Sequence, residues 1–196
     1  MKLKEPGIIV GVSNRHVHLS KEDLEILFGE GYELHPIKDL KQPGQYAAEE
    51  VVTLVGPKGK IERVRVLGPV RKETQIEISQ TDAFKLGVQP PVRDSGDLDG
   101  TPGIKIVGPK GEVETKKGLI LAKRHIHMLP EDAEKYGVKD KDLVYVAVEK
   151  GDRKLIFGDV LIRVSPKYAL EFHVDTDEAN AALIKTGDEV KIVEEF

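Results

Sequence analysis

The sequence predicts a mainly β protein with short helices, built as two small β-barrel halves related by internal duplication. Three observations carry that expectation. Short runs of Val, Ile and Leu recur along the chain between turns rich in Gly and Pro, the pattern of small barrels. Helical patterning is confined to short stretches closed by a glycine. The signature Arg-His-x-His occurs twice, as Arg15-His16-Val17-His18 and Arg124-His125-Ile126-His127, and each copy is followed at the same distance by an acidic pair, Glu22-Asp23 or Glu131-Asp132.

The elements follow in order. Residues 7–12, Gly-Ile-Ile-Val-Gly-Val, read as a buried strand leading into the first His-x-His. Ser20 and Asp23 make a capping pattern, and Leu24, Ile26, Leu27 and Phe28 give a short helix stopped by Gly29. An extended stretch turned by Pro36 and a loop at 41–46 come next. Residues 49–67 read as a hairpin around the turn Gly56-Pro57-Lys58-Gly59. Residues 74–79 alternate as a strand, and residues 81–86 form a helical turn closed by Gly87. Residues 88–103, dense in Pro, Gly and Asp, are the expected connector between an N-terminal half, 1–87, and a C-terminal half, 104–196. The second half repeats the first in altered order. It has a hairpin with the same Gly-Pro-Lys-Gly turn at 108–111, a strand at 118–122, the second His-x-His, and a helix opened by Pro130 and ended near Gly137. Strands are expected at 143–148, 154–164, 169–174 and 187–193, with a short helix at 177–186.

Composition narrows the function classes. A hydrophobic fraction of 39% and a charged fraction of 33% suit an ordinary globular protein of one or two small domains. A net charge of -4 with interspersed signs gives no nucleic-acid footprint and no membrane-binding face. No long apolar run and no charged-then-apolar leader are present. With no cysteine, disulfides, thiolate ligands and an enzyme-bound thioester are excluded.

On a strand, residues two apart share a face, so each His-x-His presents two imidazoles together and turns its middle residue to the core. Six histidines in 196 residues give roughly 0.2 such pairs by chance. Two imidazoles do not complete a metal site. The repeat supplies a third donor. Residues 76–83 and 172–179 are both alternating strands with one polar residue among apolar ones, and six residues later each has an alanine preceded by an acid. Superposition places Glu77 on His173. Two quasi-equivalent sites follow: His16, His18 and Glu77, and His125, His127 and His173. Nitrogen and oxygen donors without sulfur suit zinc, two ions per chain, and also Co, Ni or Mn. Three protein donors leave open positions, which marks catalytic metal. His35 has no partner in the pattern and reads as a loop histidine.

Arg15, Arg65, Arg71, Arg93, Arg124 and Lys38 lie near these segments, and arginine suits phosphate or carboxylate because its fork matches two oxygens. No Gly-x-x-x-x-Gly-Lys-Ser/Thr loop and no dinucleotide fingerprint occurs, and Ser95 has no nucleophile-elbow context. The residues alone reach as far as a two-metal enzyme acting on a phosphorylated or anionic substrate.

Several blocks together resemble the PduL-type phosphotransacylases (phosphate propanoyltransferases). They are residues 12–19 (Val-Ser-Asn-Arg-His-Val-His-Leu), 65–71 (Arg-Val-Leu-Gly-Pro-Val-Arg), 91–96 (Pro-Val-Arg-Asp-Ser-Gly), 100–103 (Gly-Thr-Pro-Gly), 123–127 (Lys-Arg-His-Ile-His) and 171–180 (Glu-Phe-His-Val-Asp-Thr-Asp-Glu-Ala-Asn). The resemblance implies reversible conversion of acyl-CoA and phosphate to acyl phosphate and CoA, with an acetyl or propanoyl group. It implies two barrels with a dimetal site between them, and a homodimer. It matches the two triads to the metal positions and Arg71 to the phosphate-binding catalytic arginine. Val12, Ser13, Asn14, Lys38, Arg65 and Asn180 fall in or near its CoA-contacting segments. The few residues ahead of the first strand hold no amphipathic extension of the kind many members use for packaging into bacterial microcompartments, so a cytoplasmic location is expected. A binuclear metal-dependent hydrolase is the competing enzyme class, disfavoured because such sites usually sit on (β/α)₈ barrels of about 250 residues. A non-catalytic metal-binding barrel would close its sites with a full ligand set.

Overall fold

The computed structural model describes residues 1–195. In chain order the elements run β1 (Lys2–Leu3), β2 (Ile8–Ser13), β3 (His16–His18), α1 (Lys21–Phe28), β4 (Pro36–Asp39), β5 (Tyr46–Val55), β6 (Lys60–Gly68), β7 (Gln75–Glu77), α2 (Gln80–Leu86) and β8 (Val92–Arg93). They continue with β9 (Lys105–Val107), β10 (Glu112–Glu114), β11 (Leu119–Ala122), β12 (His125–Met128), α3 (Pro130–Tyr136), β13 (Leu143–Val148), β14 (Leu155–Val164), β15 (Glu171–Asp175), α4 (Thr176–Ala182) and β16 (Glu189–Glu195). Among the described residues the fold is mainly β with four short helices, as the sequence predicts.

Two compact units form. One comprises Met1–Ser13, Lys41–Pro43 and the chain from Lys123 onward. Its sheet runs β16-β13-β14-β12-β15-β2 and closes when β2 pairs again with β16, giving a six-stranded barrel with β1 as an outlier on β16. Closure leaves its six strands without free edges. Ile8, Val10, Ile126, Val146, Ile162, Phe172, Val174 and Ile192 fill the interior. The other unit comprises Asn14–Leu40 and Gly44–Ala122. Its sheet runs β10-β9-β5-β6-β3-β7-β11-β8, curls like half a barrel, and carries β4 on β5. Val17, Leu24, Leu27, Leu54, Val66, Ile76, Ile106 and Leu119 form its core.

These units group the chain differently from the expected division at 88–103. The reason is strand pairing over long sequence distances. β2 lies parallel to β15, with Val10 opposite Phe172, and antiparallel to β16. It therefore belongs with the C-terminal barrel. β9 pairs with β5, and β11 lies parallel to both β7 and β8, so residues 104–122 belong with the earlier half. Each His-x-His strand thus follows a strand of the other unit.

The repeated Gly-Pro-Lys-Gly turns both lie in the second unit, where each seals a helix end. Lys58 N donates to Leu86 O of α2 at 3.0 Å, and Lys110 N donates to Leu27 O of α1 at 3.0 Å. A Cβ at Gly56 would stand 2.3 Å from Leu86 O, and one at Gly108 2.5 Å from Leu27 O. Glycine starts both turns because backbone meets backbone there. The motif is a capping device for helix carbonyls that lack intrahelical partners.

His35 has a partner the sequence did not reveal. Its ring Nδ1 lies 2.7 Å from Glu50 Oε1, its backbone N–H donates to the same carboxylate, and Tyr32 Oη donates to Glu50 Oε1 at 3.0 Å. Glu50 is 4% exposed, so the loop preceding β4 is pinned to a buried charge. The hydrogen bond to Glu50 holds the His35 imidazole above its ordinary 6.5. Burial works against the Glu50 carboxylate, but the bonds from His35 and Tyr32 outweigh it and keep the group below 4.5. The contribution of charged His35 is complete below about pH 6.5 and is lost as pH rises through its raised pKa. That of ionised Glu50 is complete above about pH 4.5 and is lost as pH falls through its lowered pKa. Glu50→Gln is expected to cost about 1–2 kcal/mol. Urea unfolding should show a larger cost near about pH 5.5 than near about pH 8.5. An equal cost at both pH values would mean that the pair does not titrate as a unit.

Candidate metal centres

Two strand pairs build two side-chain clusters on one plan. β3 runs antiparallel to β7, placing His16 opposite Glu77 and His18 opposite Gln75. β12 runs antiparallel to β15, placing His125 opposite His173 and His127 opposite Glu171. On their other sides β3 is parallel to β6 and β12 is parallel to β14. Alternation sends Val17 and Ile126, both fully buried, into the two cores, and the imidazoles share the opposite face. Glu77 and His173 hold the same place in the two frames.

Ligand atoms of His16, His18 and Glu77 lie within 4.8 Å of one another, and so do those of His125, His127 and His173. The rings are oriented from behind. His16 Nδ1 lies 2.8 Å from Asn14 O, and His125 Nδ1 lies 2.8 Å from Lys123 O. A carbonyl at that nitrogen takes its proton and leaves the Nε2 lone pair for the cluster, the usual arrangement behind metal-binding histidine. The His125 and His173 rings stack with centroids 4.9 Å apart. Convergent, oriented nitrogen and oxygen donors could hold a metal ion in each triad.

Charge differs between the triads. In the first, burial opposes the His16 imidazolium, but the charge and hydrogen bond of Glu77 outweigh it and raise the pKa. His16 Nε2 is 3.5 Å from Glu77 Oε2. Burial likewise opposes the Glu77 carboxylate, yet the neighbouring His16 holds it well below the ordinary range. His18 is pushed down to about 3, by burial first and then by His16 and Arg71. Arg71 Nη2 stands 2.9 Å from His18 Nε2. Guanidinium only donates, so neutral His18 accepts. Arg71 Nη1 donates to Ser95 Oγ at 3.1 Å, and Arg71 N donates to Leu19 O. In the second triad the His127 ring lies against Tyr168, with centroids 4.1 Å apart, where the first has a cation.

The two arginines of the repeated signature serve the frame. Arg15 grips Asp82 with Nε and Nη2, each 2.8 Å from a carboxylate oxygen. Arg124 Nη1 lies 2.8 Å from Glu178 Oε1, and its Nε donates to Gly158 O. Asp82 and Glu178 are the third residues of α2 and α4 and close capping boxes with Ser79 and Asp175. Each arginine therefore ties its His-x-His strand to the helix that follows the third-donor strand. The acidic pairs after the histidines are also helix starts: Asp23 N donates to Ser20 Oγ, and Leu129 N donates to Asp132 Oδ2.

The remaining expected residues are distributed as follows. Val12 and Ser13 end β2, and Val12 N donates to Thr186 Oγ1. Asn14 uses its side-chain oxygen on Arg15 N. Lys38 is exposed on β4. Arg65 lies opposite His16 and donates Nη1 to Ala48 O and Glu49 O. Asn180 is on α4. Arg93 forms a loose surface pair with Asp97 at 3.6 Å. Sequence reading passed over Gln75 and Glu171. Their spacing of two from Glu77 and His173 was the available signal, because such residues share a strand face. Ser95 lies in the 91–96 block but no spacing gave it a role, and Gln42, from a loop, had no signal.

The phosphate propanoyltransferase family model matches residues 9–185. A phosphate propanoyltransferase of Thermotoga maritima is 77% identical over 191 residues, covering 97% of this chain and 91% of that protein. One from Clostridioides difficile is 56% identical over 190 residues, covering 97% and 90%. One from Salmonella typhimurium is 56% identical over 181 residues, covering 92% and 86%. The chain belongs to the phosphate propanoyltransferase family, a family of acyltransferases. No helix among the described residues is long and apolar enough to cross a membrane.

Arg124→Met is expected to lower stability by about 2 kcal/mol, because it leaves the partly buried Glu178 carboxylate without its cation. Arg15→Met should cost a similar amount through Asp82. Denaturant unfolding checks both, and an unchanged midpoint would mean that the arginine does not hold the strand.

Proposed function

We propose that this phosphate acyltransferase interconverts acetyl- or propanoyl-CoA and phosphate with the acyl phosphate and CoA, using two metal ions per chain, zinc by preference. The observation that carries the reading is the pair of convergent three-donor clusters on matched strand frames, one of them with a guanidinium against it. His16, His18 and Glu77 would hold one ion, and His125, His127 and His173 the other. When bound, such ions supply Lewis-acid stabilisation of thiol and phosphate oxygen charge.

The chain's own residues do the rest. Asn14 O and Lys123 O fix the rings of His16 and His125. Arg71 binds phosphate through its two-pronged guanidinium, held at a set angle by Ser95. Val12, Ser13, Asn14, Lys38, Arg65 and Asn180 receive CoA, a role that rests on the resemblance. The reaction balances without an enzyme nucleophile. The CoA sulfur forms a bond to the acyl carbon, the acyl carbon–oxygen bond to phosphate breaks, and the thiol proton is released. The absence of cysteine agrees with direct transfer. A homodimer and a cytoplasmic location complete the proposal and likewise rest on the resemblance.

The test is turnover of CoA with acetyl phosphate and with propanoyl phosphate before and after chelation, with metal counted per chain. Activity should vanish on chelation and return with zinc at two ions per chain. Arg71→Ala should raise the phosphate KM about 10–100-fold, the size of one lost charge-assisted contact. Its metal content should be unchanged. An unaltered phosphate KM overturns the role of Arg71, and phosphate-independent thioester hydrolysis would favour a hydrolase.

A further inference from the structure

We propose that Gln75 and Glu171 are matched positioning residues, each buried against the third donor on its own strand and holding it toward its cluster. This rests on the reading of the triads as metal sites. The two residues occupy one place in the duplicated frame. Gln75 is opposite His18 and Glu171 is opposite His127. Each precedes the third donor by two residues and so shares its face. Both are buried, Gln75 at 1% and Glu171 at 6% exposure.

Their chemistry is complementary to what they touch. Where the third donor is a carboxylate, the neighbour is an amide: Gln75 Nε2 donates to Glu77 Oε1 at 2.6 Å. Where the third donor is an imidazole, the neighbour is a carboxylate: Glu171 Oε2 stands 3.0 Å from His173 Nε2. Each is steadied from a loop. Gln75 Nε2 also donates to Ser95 Oγ, and Gln75 Oε1 accepts from Gly96 N, both at 2.8 Å. Gln42 Nε2 donates to Glu171 Oε2 at 3.2 Å and to Ala169 O at 2.9 Å, while Gln42 Oε1 accepts from Ala169 N. Gly11 leaves room, since a Cβ there would stand 2.7 Å from the Glu171 carboxylate.

The amide occupies Oε1 of Glu77, draws off part of its charge, and leaves Oε2 for the cluster. The Glu171 carboxylate stands against the His173 ring and, held by Gln42, keeps the ring beside the cluster. A glutamate in the place of Gln75 would set two carboxylates side by side.

The test reads the zinc affinity of each triad by itself. In the full-length chain with His18→Ala, which leaves the three-histidine triad, Glu171→Leu should raise the zinc Kd about 10–100-fold by chelator competition. Glu171→Gln, which keeps the side chain's size and an acceptor oxygen, should restore most of that affinity. In a His125→Ala background, Gln75→Met should shift the zinc Kd of the other triad by about 10-fold or more. That arm decides the matter if Glu171→Leu does not fold. Unchanged Kd values overturn the proposal. So does loss of zinc beyond about 1,000-fold on Glu171→Leu, which would make Glu171 a ligand. If the unsubstituted chain takes up no zinc, the metal reading itself fails.

Discussion

Register between two antiparallel strands is the constraint from which the two side-chain clusters follow. A strand brings two imidazoles to one face, and the cluster is complete only while its partner presents a third polar group at the matching position. Sliding β3 by one residue against β7 would turn both histidines into the core and bring Val17 out. The valine and isoleucine between the histidines therefore set register as well as filling space. They are fully buried, and their burial fixes the face on which the rings stand. The arginine pins act on the same quantity. By tying the residue before each His-x-His to a helix cap after the third donor, they close a loop of contacts around each triad.

This explains why the sequence was a good guide to which side chains converge in each cluster and a poorer one to the partners of the arginines. Donor spacing is a local property, because a period of two along a strand survives any arrangement of the surrounding sheet. The matching of Glu77 to His173 came from an acid and an alanine downstream. The structure gives that acid its meaning, as capping residue and as anchor for Arg15 or Arg124. Read without coordinates, an arginine beside two histidines suggests substrate. Only the location of its carboxylate partner, 67 residues away for Arg15, assigns it to the frame.

The strands themselves were legible, from the 49–67 hairpin to the C-terminal strand, because alternation and turn residues are local. The grouping of strands into units was not. Glycine and proline density at 88–103 marks a surface connection, but surface connections also occur inside a unit, as this one does. Nothing in residues 7–12 announces that they complete a barrel with strands beyond residue 170. That depends on parallel pairing over most of the chain length.

Such pairing has a consequence for synthesis on the ribosome. All the strands of the curled sheet lie between residues 14 and 122, so they are available to one another before β12 to β16 are made. The barrel differs: β2 ends at Ser13, and its neighbours β15 and β16 begin at Glu171 and Glu189. An apolar β-branched segment must wait without its sheet while the residues between are made. That interval, more than any weakness of the finished protein, is when the nascent chain is open to aggregation and to capture by chaperones.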